Sequence, residues 1–392
     1  MKPKPQPQSA VRWKRPFALT AQAADQLYDA RPQTHPHDVQ HHGDIMKAVV
    51  KTAPARGAEF HSDWAEAECR ADEVRIQIAA ASVCGTDREL FEYTDSAKAF
   101  GLAFPVVLGH ELSGTVIETG KDVRSVMVGD RVALESHLMC GHCFPCRTGN
   151  AHNCENLTIL GMHFDGAFAE RVVVPERICF KLPEALPLES GALLEPAGVA
   201  MHAVQRAAQT VPGQRVLISG SGPVGMVLSR LVTLMGASDV VVIEPNPYRR
   251  QLAADLGAHT LTPDDDIVAF CRDRSGDHGG FDVAFEVSGA ASALPTLFDA
   301  TRREGTIVTV GHPGRPIPID IAQYINKKGI TLRGVFGRRL WDTWESIATL
   351  VSSGQLDLGA LVTNRLPLEE FEHAIDLLTQ DSCKVLLIPE SN

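Results

Sequence analysis

Residues 217–237, LISGSGPVGMVLSRLVTLMGA, carry three sequence signals in succession. An apolar run that ends at Ser219 predicts a strand, three glycines follow in the pattern G-x-G-x-x-G, and apolar side chains then recur at helical spacing. Such glycines allow a tight turn and let the backbone approach a pyrophosphate, which the free N–H groups at the start of the helix stabilise. The residues of this turn expected to contact a dinucleotide are Gly220, Gly222, Pro223, Val224 and Gly225.

The strand that follows indicates which dinucleotide is bound. Residues 239–244, DVVVIE, end in Glu244, 24 residues after Gly220. A carboxylate at this place accepts hydrogen bonds from the adenosine ribose hydroxyls and repels a 2′-phosphate, so NAD is favoured over NADP. Arg249 and Arg250 weaken this preference for NAD, since an arginine can bind a 2′-phosphate. A glycine-rich loop alone would be consistent with an ordinary tight turn, but strand, helix and acidic residue together favour a nucleotide site.

The chain after Glu195 alternates between strand and helix patterns. Strands are predicted at RVLISG (215–220), DVVVIE (239–244), FDVAFEVS (281–288), GTIVTVG (305–311) and ITLRGVFG (330–337). Helical stretches such as LPTLFDATRR (294–303) separate them, which is the pattern of a parallel doubly wound sheet, and six strands would complete it. A helix around residues 340–354 and a final strand near residues 383–389 follow.

A second signal is a run of four cysteines in CGHCFPCRTGNAHNC, residues 140–154. Two, two and seven residues separate Cys140, Cys143, Cys146 and Cys154, so one short loop can wrap a tetrahedral Zn²⁺. Four thiolates leave no open coordination place, which predicts a structural zinc. Disulfides and unrelated core cysteines are the alternatives.

Residues on both sides of this loop predict a second metal site. Cys84 follows a strand-like segment, His110 and Glu111 are adjacent in PVVLGHELSG, and Glu195 lies in LLEPAG. Thiolate, imidazole and carboxylate together form a zinc site that keeps a place for water or substrate. Each residue alone is weak evidence, because a lone buried cysteine is usually a small hydrophobic residue, and Glu111 could lie outside the ligand set.

The order of these motifs resembles the zinc-dependent medium-chain dehydrogenase/reductase family over residues 46–388. Within that family the chain is most similar to the L-threonine 3-dehydrogenases, through CGTD (84–87), ESHLMCGHCFPCRTGNAHNC (135–154), GAFAERVVVP (166–175), FGRRLWDTW (336–344) and residues 352–378. Sorbitol-type polyol dehydrogenases and archaeal glucose dehydrogenases are similar too, and CGTDRE (84–89) is closer to the latter.

The resemblance implies an α/β fold of two domains. A GroES-like, mostly β catalytic domain would span residues 46–197, and a Rossmann NAD-binding domain with a doubly wound parallel sheet would span residues 198–338. Residues 339–392 would return to the catalytic domain. The active site would then lie in the cleft between the domains, where ligands of such sheets bind. Two Zn²⁺ per chain, NAD, and a homotetramer or homodimer are also implied.

The implied activity is oxidation of a secondary alcohol to a ketone. Cys84, His110 and Glu111 would bind the catalytic zinc, with Glu195 as a fourth or alternating ligand. Thr86 would bond the substrate alcohol and hand its proton along the nicotinamide ribose to Glu89. His137 is a further catalytic candidate, with the alternative that it is only a neighbour of the zinc loop. Arg249 would lie near the ribose. The residues implied around the nicotinamide are Val310, Gly311, His312, Val335 and Phe336.

Two positions depart from the threonine enzymes. Glu89 stands where those enzymes have a histidine, and Val199 stands where they have an asparagine. Threonine is the first expected substrate, with 2-amino-3-oxobutyrate as product, and a polyol, a sugar or another 1,2-functionalised alcohol is the alternative. A catalytically silent zinc- and nucleotide-binding protein is a further hypothesis, against which the complete set of Cys84, His110 and Glu111 argues.

Composition excludes several other classes of protein. The 392 residues carry a formal net charge of −11, which argues against nucleic acid or anionic membranes as partners. No apolar run reaches the roughly 18 residues of a membrane span. Five of the nine cysteines are assigned to zinc and the rest are scattered singly, as in a reducing compartment, so a cytoplasmic location is expected. Residues 1–45, rich in Pro, Gln, His and basic residues, are expected to be a disordered extension or to reflect an upstream start codon, with a targeting or partner-binding tail as the alternative.

Overall fold

The computed structural model describes residues 44–207 and 212–389. Nearly all of the expected N-terminal extension therefore lies outside the described residues. Within the two described ranges, every helix is too short or too polar to span a lipid bilayer.

The secondary structure is numbered in chain order. The strands are β1 (Ile45–Lys51), β2 (Glu59–Ala65), β3 (Glu73–Val83), β4 (Val106–Val107), β5 (Glu111–Thr119), β6 (Arg131–Leu134), β7 (His137–Leu138), β8 (Thr158–Ile159), β9 (Arg171–Pro175), β10 (Cys179–Lys181), β11 (Arg215–Ser219), β12 (Asp239–Ile243), β13 (His259–Leu261), β14 (Phe281–Glu286), β15 (Thr301–Thr309), β16 (Thr331–Gly334), β17 (Val362–Leu366) and β18 (Lys384–Leu387). The α-helices are α1 (Gly85–Glu92), α2 (Asp95–Phe100), α3 (Phe144–Arg147), α4 (Leu188–Ala192), α5 (Leu194–Ala207), α6 (Pro223–Leu234), α7 (Pro247–Asp255), α8 (Ile267–Ser275), α9 (Ala293–Ala300), α10 (Asp342–Ser352) and α11 (Phe371–Leu377).

Six parallel strands form one sheet, in the order β13-β12-β11-β14-β15-β16. Successive side chains of each strand pack on opposite faces. On β11, Val216 and Ile218 join a core shared with α5 and α6, whereas Leu217 joins a core shared with α8 and α9. Helices therefore cover both faces, which confirms the predicted doubly wound parallel sheet.

Two details of this sheet differ from the sequence prediction. The sixth strand is β13, an edge strand of three residues whose partly exposed side chains show no strand pattern. The helix predicted over residues 294–303 ends at Ala300. Thr301 instead begins β15, where it pairs with Phe281, and its hydroxyl donates to the carbonyl of Leu297 over 2.7 Å. This capping bond and the strand pairing together end the helix.

The other half of the molecule is mostly β, as the GroES-like prediction requires. One sheet has the strand order β10-β6-β5-β3-β18-β17, with β9 also paired to β3, and a smaller sheet has the order β2-β1-β4. Val74, Ile76 and Ile78 of β3, which alternate with polar residues in the sequence, are at most 1% exposed. β17 and β18 come from the end of the chain and join this sheet. The limits assigned to the domains stay a prediction.

Strand register brings three remote segments to one point at the end of β3. Ser82 faces Glu111 on antiparallel β5, and on the other side of β3 Val83 faces Val385 on antiparallel β18. The neighbouring residues Cys84, His110 and Lys384 must therefore converge, because register is fixed along each pair of strands. Residues that are far apart in the sequence thus form one site.

Candidate active site

The four-cysteine loop forms a cluster of thiols. The sulfur atoms of Cys140, Cys143, Cys146 and Cys154 all lie within 4.8 Å of one another. Cys143 Sγ lies 3.8 Å from Cys154 Sγ, far longer than the roughly 2 Å of a disulfide bond. All four cysteines are free thiols, so the disulfide alternative is not realised. The arrangement fits a tetrahedral Zn²⁺ with four sulfur ligands.

Backbone N–H groups point at these sulfur atoms. The N–H of Cys143 donates to Cys140 Sγ over 3.4 Å, and the N–H of Asn156 donates to Cys154 Sγ over 3.3 Å. Burial alone would raise the pKa of Cys140, but donors from the backbone outweigh it and lower that pKa to about 6. Thiolates are the form that binds zinc, and such donors stabilise them. Burial raises the pKa of Cys146 and of Cys154, so it is the placement of the four sulfur atoms that favours a closed metal site.

Cys84, His110 and Glu111 form a second group of possible metal ligands, with donor atoms again within 4.8 Å of one another. Cys84 Sγ lies 3.2 Å from His110 Nε2. His110 and Glu111 are buried, and Cys84 is the half-buried N-cap of α1. Burial raises the pKa of Cys84, although the adjacent His110 opposes this effect. One sulfur, one nitrogen and one oxygen ligand fit a zinc site with a fourth place for substrate.

Two charged residues beside this group were missed by sequence reasoning. Asp87 is fully buried; its Oδ2 accepts a hydrogen bond from the N–H of Cys84 over 2.9 Å, and its Oδ1 lies 3.3 Å from His110 Nδ1. A carboxylate on that nitrogen fixes the imidazole so that Nε2 faces the metal. Lys384 Nζ forms a buried ion pair with Glu111 Oε2. The position of Asp87, three residues after Cys84, was an available signal, whereas Lys384 lies 273 residues from Glu111 and gave none.

Glu195 lies outside this group of three. Its Oε1 accepts hydrogen bonds from Arg338 Nη1 over 2.7 Å and from Ser136 Oγ over 3.0 Å. Arg338 also binds Glu135, through Nε to Oε2 over 2.9 Å and through Nη2 to Oε1. The role of Glu195 as a fourth or alternating metal ligand thus stays a prediction, and in this conformation its carboxylate is bound to Arg338 instead. Arg338 itself was not singled out from the sequence, because an arginine in a loop motif carries no sign of burial.

Thr86 and Glu89 lie three residues apart on α1, so they share one side of that helix. Both are half-buried, and within the described part of the chain neither side chain has a hydrogen-bond or ion-pair partner. His137 is buried, and its ring stacks on Phe336 with 5.4 Å between the ring centres. Burial, aided by the positive charge of Arg338, holds the pKa of His137 well below its usual range. His137 is therefore a neutral wall of the site at neutral pH.

The glycine-rich turn borders a cavity of about 400 Å³. Gly220 has a φ of +103°, and a Cβ at Gly225 would lie 2.1 Å from the carbonyl oxygen of Gly220, so both positions require glycine. A Cβ at Gly222, in contrast, would meet nothing within 4 Å. Gly222 is the N-cap of α6, and Pro223 and Val224 follow in its first turn. The open space and the helix N-terminus together fit a pyrophosphate group.

Glu244 lines the same cavity. Its Oε2 accepts a hydrogen bond from the N–H of Ser221 over 2.7 Å, and its Oε1 accepts one from the N–H of Asn246 over 2.9 Å. Arg249 also lines the cavity, but its guanidinium donates to the carbonyls of Ser382 and Leu378. Arg250 Nη1 donates to the carbonyl of Glu244 itself over 2.9 Å. Both arginines thus donate hydrogen bonds to backbone carbonyls. The carboxylate of Glu244 is held at the cavity by two backbone N–H groups.

The residues expected at the nicotinamide meet between the two sheets. The N–H groups of Val310 and Gly311 both donate to the carbonyl of Glu286, at the end of the neighbouring strand. Val335 continues β16 by donating to Thr309 over 2.9 Å. The ring of His312 makes an edge contact with Phe336. Phe336 in turn stacks on His137, which lies on β7 in the β-rich half of the molecule. The structure therefore brings Phe336 into contact with His312 and His137, and the contact of these residues with the nicotinamide stays a prediction.

Comparisons with known proteins agree with this geometry. The model of the alcohol dehydrogenase GroES-like domain matches residues 70–184, and that of the zinc-binding dehydrogenase matches residues 223–353. The chain is 38% identical to the L-threonine 3-dehydrogenase of Caldanaerobacter subterraneus subsp. tengcongensis, over 88% of this chain and 99% of that protein. It is 37% identical to the L-threonine 3-dehydrogenase of Bacillus velezensis, over 88% of this chain and 100% of that protein.

A solved structure shows the same fold. The 2R,3R-butanediol dehydrogenase from Bacillus subtilis is 30% identical, with a TM-score of 0.78, over 88% of this chain and 100% of that chain. The chain belongs to the zinc-dependent medium-chain dehydrogenase/reductase family, within the alcohol dehydrogenase superfamily. It is an oxidoreductase with zinc and NAD as cofactors, as the sequence predicted, and the two groups of zinc ligands and the nucleotide cavity fit both.

Proposed function

We propose that this protein oxidises the hydroxyl group of L-threonine to a ketone, reversibly, with 2-amino-3-oxobutyrate as the product. The observation that carries the proposal is the group formed by Cys84, His110 and Glu111, which would supply three ligands to a zinc ion and leave a fourth coordination place for substrate. The likeness to two L-threonine 3-dehydrogenases over nearly their full length supports threonine as the substrate.

Each residue of the site would have its own role in the reaction. When bound, zinc lowers the pKa of the substrate hydroxyl and NAD accepts the hydride removed from its carbon. Cys84, His110 and Glu111 would hold the metal, and Asp87 keeps His110 Nε2 directed to it. The hydroxyl of Thr86, which has no other partner within the described residues, would accept the substrate proton and pass its own along the nicotinamide ribose. Glu89 would take up that proton.

An alternative substrate is another 1,2-functionalised alcohol. Glu89 and Val199 depart from the threonine enzymes, and both lie on helices that begin at or near the site, α1 and α5. The structural likeness to a 2R,3R-butanediol dehydrogenase supports a diol as the second candidate. A carboxylate at position 89 can also bind a sugar or polyol hydroxyl, so polyols and aldoses follow.

The test is NAD reduction by the purified zinc enzyme with L-threonine, 2R,3R-butanediol, sorbitol and glucose as separate substrates. We expect the highest kcat/KM with L-threonine. Cys84→Ser is the control, because it removes a zinc ligand and should abolish turnover of every substrate. A higher kcat/KM with the diol or a sugar would replace threonine by that substrate, and no turnover of any of the four would contradict the proposal.

We further propose a homodimer or homotetramer in the cytoplasm. β16 is an edge strand that pairs only with β15 among the described residues, and Leu332 on it is 39% exposed. An open edge is a surface on which a second copy can pair. Nine free thiols support a reducing compartment. Analytical ultracentrifugation tests the assembly: a monomer at micromolar concentration would contradict it. Val335 donates to β15, so the N–H of Leu332 faces the open edge, and Leu332→Pro should weaken a dimer that pairs through this edge.

A further inference from the structure

Glu286 is a buried carboxylate at the carboxyl end of a central strand. It ends β14, which lies between β11 and β15, and it is 4% exposed. Among residues 44–207 and 212–389, no basic side chain forms an ion pair with it, whereas Glu111, Glu135 and Glu195 each pair with a buried lysine or arginine. Burying a carboxylate is unfavourable unless hydrogen-bond donors surround it, so the donors around Glu286 indicate its role.

The donors to this carboxylate all come from residues 287–290, which follow the strand and are called the β14 loop here. Glu286 Oε1 accepts hydrogen bonds from the N–H of Ser288 over 2.8 Å, from the hydroxyl of Ser288 over 2.6 Å and from the N–H of Gly289 over 2.9 Å. The hydroxyl of Ser288 in turn accepts a bond from the N–H of Ala290 over 3.1 Å. One side-chain oxygen therefore holds three successive residues in place.

The main chain of Glu286 holds a second loop, which follows β15. Its carbonyl accepts the N–H groups of Val310 over 2.8 Å and of Gly311 over 3.0 Å. A Cβ at Gly311 would lie 2.7 Å from Glu286 Oε2 and 2.3 Å from the nitrogen of Gly289, so the two loops touch with no space for a side chain between them. The position of the β14 loop is thus coupled to that of the residues predicted at the nicotinamide.

The β14 loop also contacts the glycine-rich turn. A Cβ at Gly220 would lie 3.0 Å from Ser288 Cα, and the N–H of Val287 donates to the carbonyl of Ser219 over 3.0 Å. Val287, Ser288 and Ala290 line the nucleotide cavity. The β14 loop is therefore a wall of that cavity, in contact both with the turn predicted to bind the pyrophosphate and with the residues after β15.

We propose that Glu286 is a positioning residue for the cofactor: its side-chain oxygen sets the β14 loop, before NAD binds, in the arrangement that the cofactor requires. A loop that must be ordered on binding lowers the affinity. If the competent arrangement is occupied about a tenth of the time, the affinity falls about tenfold. This inference concerns the cofactor alone and holds for any of the substrates considered above.

Two variants separate the position of the oxygen from its charge. Glu286→Gln removes the charge and keeps an acceptor oxygen at the same distance from the main chain. Glu286→Asp keeps the charge, but its side chain is one methylene shorter, so its oxygen cannot reach the same donors. Asp282→Ala is the matched control, because Asp282 is a buried carboxylate at the amino end of β14, where it accepts bonds from the N–H of Arg215 over 2.9 Å and from Arg302 Nε over 2.6 Å.

The experiment has two readouts on the full-length, zinc-loaded protein, and neither needs a substrate. Amide hydrogen exchange of residues 287–290 is measured by mass spectrometry without cofactor, and the Kd of NADH is measured by fluorescence titration. We expect Glu286→Asp to exchange about tenfold faster in the β14 loop and to bind NADH about tenfold more weakly than wild type. Glu286→Gln should stay within about threefold of wild type in both. Asp282→Ala should lower the melting temperature and leave both readouts unchanged.

Three results would overturn the inference. Equal weakening of NADH binding by Glu286→Gln and Glu286→Asp would show that the charge matters and not the position of the oxygen. A wild-type rate of loop exchange or a wild-type Kd in Glu286→Asp would show that the side chain does not set the loop, or that the loop does not limit binding. Equal weakening by Asp282→Ala would assign the effect to general stability.

Ser288→Ala keeps the test open if Glu286→Asp does not fold. It removes one of the three donors to Glu286 Oε1 and the acceptor for Ala290, so we expect faster exchange in the β14 loop and a Kd for NADH raised about threefold. Unchanged exchange and affinity in this variant would also contradict the inference. A failure to oxidise L-threonine would leave all of these results as they are, so the inference and the proposed function fail separately.

Discussion

Replacement of Glu244 should change the choice between NAD and NADP. Its carboxylate is 5% exposed and each oxygen accepts one backbone N–H, so its rotamer is fixed while lone pairs remain for ribose hydroxyls. A 2′-phosphate would have to enter the same end of the cavity. Arg249 and Arg250 donate to backbone carbonyl oxygens, and these bonds restrict how far either guanidinium can move toward that phosphate.

The size of the effect follows from Coulomb's law. Two unit charges about 4 Å apart repel by about 4 kcal/mol at an effective dielectric constant near 20, and by about 1 kcal/mol in bulk water. The cavity is open to solvent on one side, so we expect about 2–3 kcal/mol against NADPH, a factor of roughly 30–150 in affinity. Glu244→Ala should remove most of this difference, and it should weaken NADH binding because the ribose loses an acceptor.

The assay is fluorescence titration of the zinc-loaded protein with NADH and with NADPH, which needs no knowledge of the substrate. Glu286→Gln is the matched control, since Glu286 ends the neighbouring strand β14 and its Oε1 accepts hydrogen bonds from Ser288 and Gly289. That variant should leave the ratio of the two affinities as in wild type. Equal affinities of the wild-type protein for NADH and NADPH, or an unchanged ratio in Glu244→Ala, would refute the reasoning.

Two further predictions concern the metals and the proton path. Metal analysis should find two zinc ions per chain; Cys84→Ser should lose one of them with nearly all turnover while the protein stays folded, whereas Cys143→Ala should lower the melting temperature, because a closed zinc site contributes folding energy. A loop variant with unchanged melting would contradict this assignment. Glu89→Gln should lower kcat about 10²-fold with NADH binding unchanged, as expected for a positioned proton acceptor. Unchanged kcat with a raised KM would instead assign Glu89 to substrate recognition, and no change in either would remove it from the site.

The parts of the site that were predictable are those written within short stretches of sequence. The glycine turn, the strand ending in Glu244 and the four-cysteine loop each need only about a dozen neighbouring residues, because backbone geometry and metal geometry fix their spacing. The group of Cys84, His110 and Glu111 was predicted from the order of the motifs along the chain. Its closeness in space depends on the register of β3 and β5, which the sequence does not state.

The buried cations were not predictable in the same way. Arg338 and Lys384 look like surface residues in the sequence, since charged side chains are rarely buried unless they are paired. Only the fold shows that Glu135 and Glu111 pair with them. Arg249, predicted near the ribose, lines the nucleotide cavity, and its role there stays a prediction; the two carbonyls near the end of the chain that it contacts were not predictable from the sequence. Pairing across the fold, more than residue type, decides the role of a charged side chain here.

Pairing across the fold also predicts how the four-cysteine loop responds to acid. His152 of this loop is 5% exposed and makes an edge contact with His202 on α5, with 4.9 Å between the ring centres. Burial, aided by His202, lowers the pKa of His152 to about 4, whereas an exposed histidine in the unfolded chain titrates near 6.5. The unfolded chain therefore binds more protons between these values, so the stability that His152 contributes is fully present above pH ~6.5 and is lost as the pH falls toward ~4. Protonation of the zinc thiolates affects every variant alike, and the comparison of wild type with His152→Gln isolates the histidine. The thermal midpoint of wild type should fall more steeply than that of His152→Gln between pH ~7 and ~4.5, and parallel curves would contradict the burial of a neutral His152.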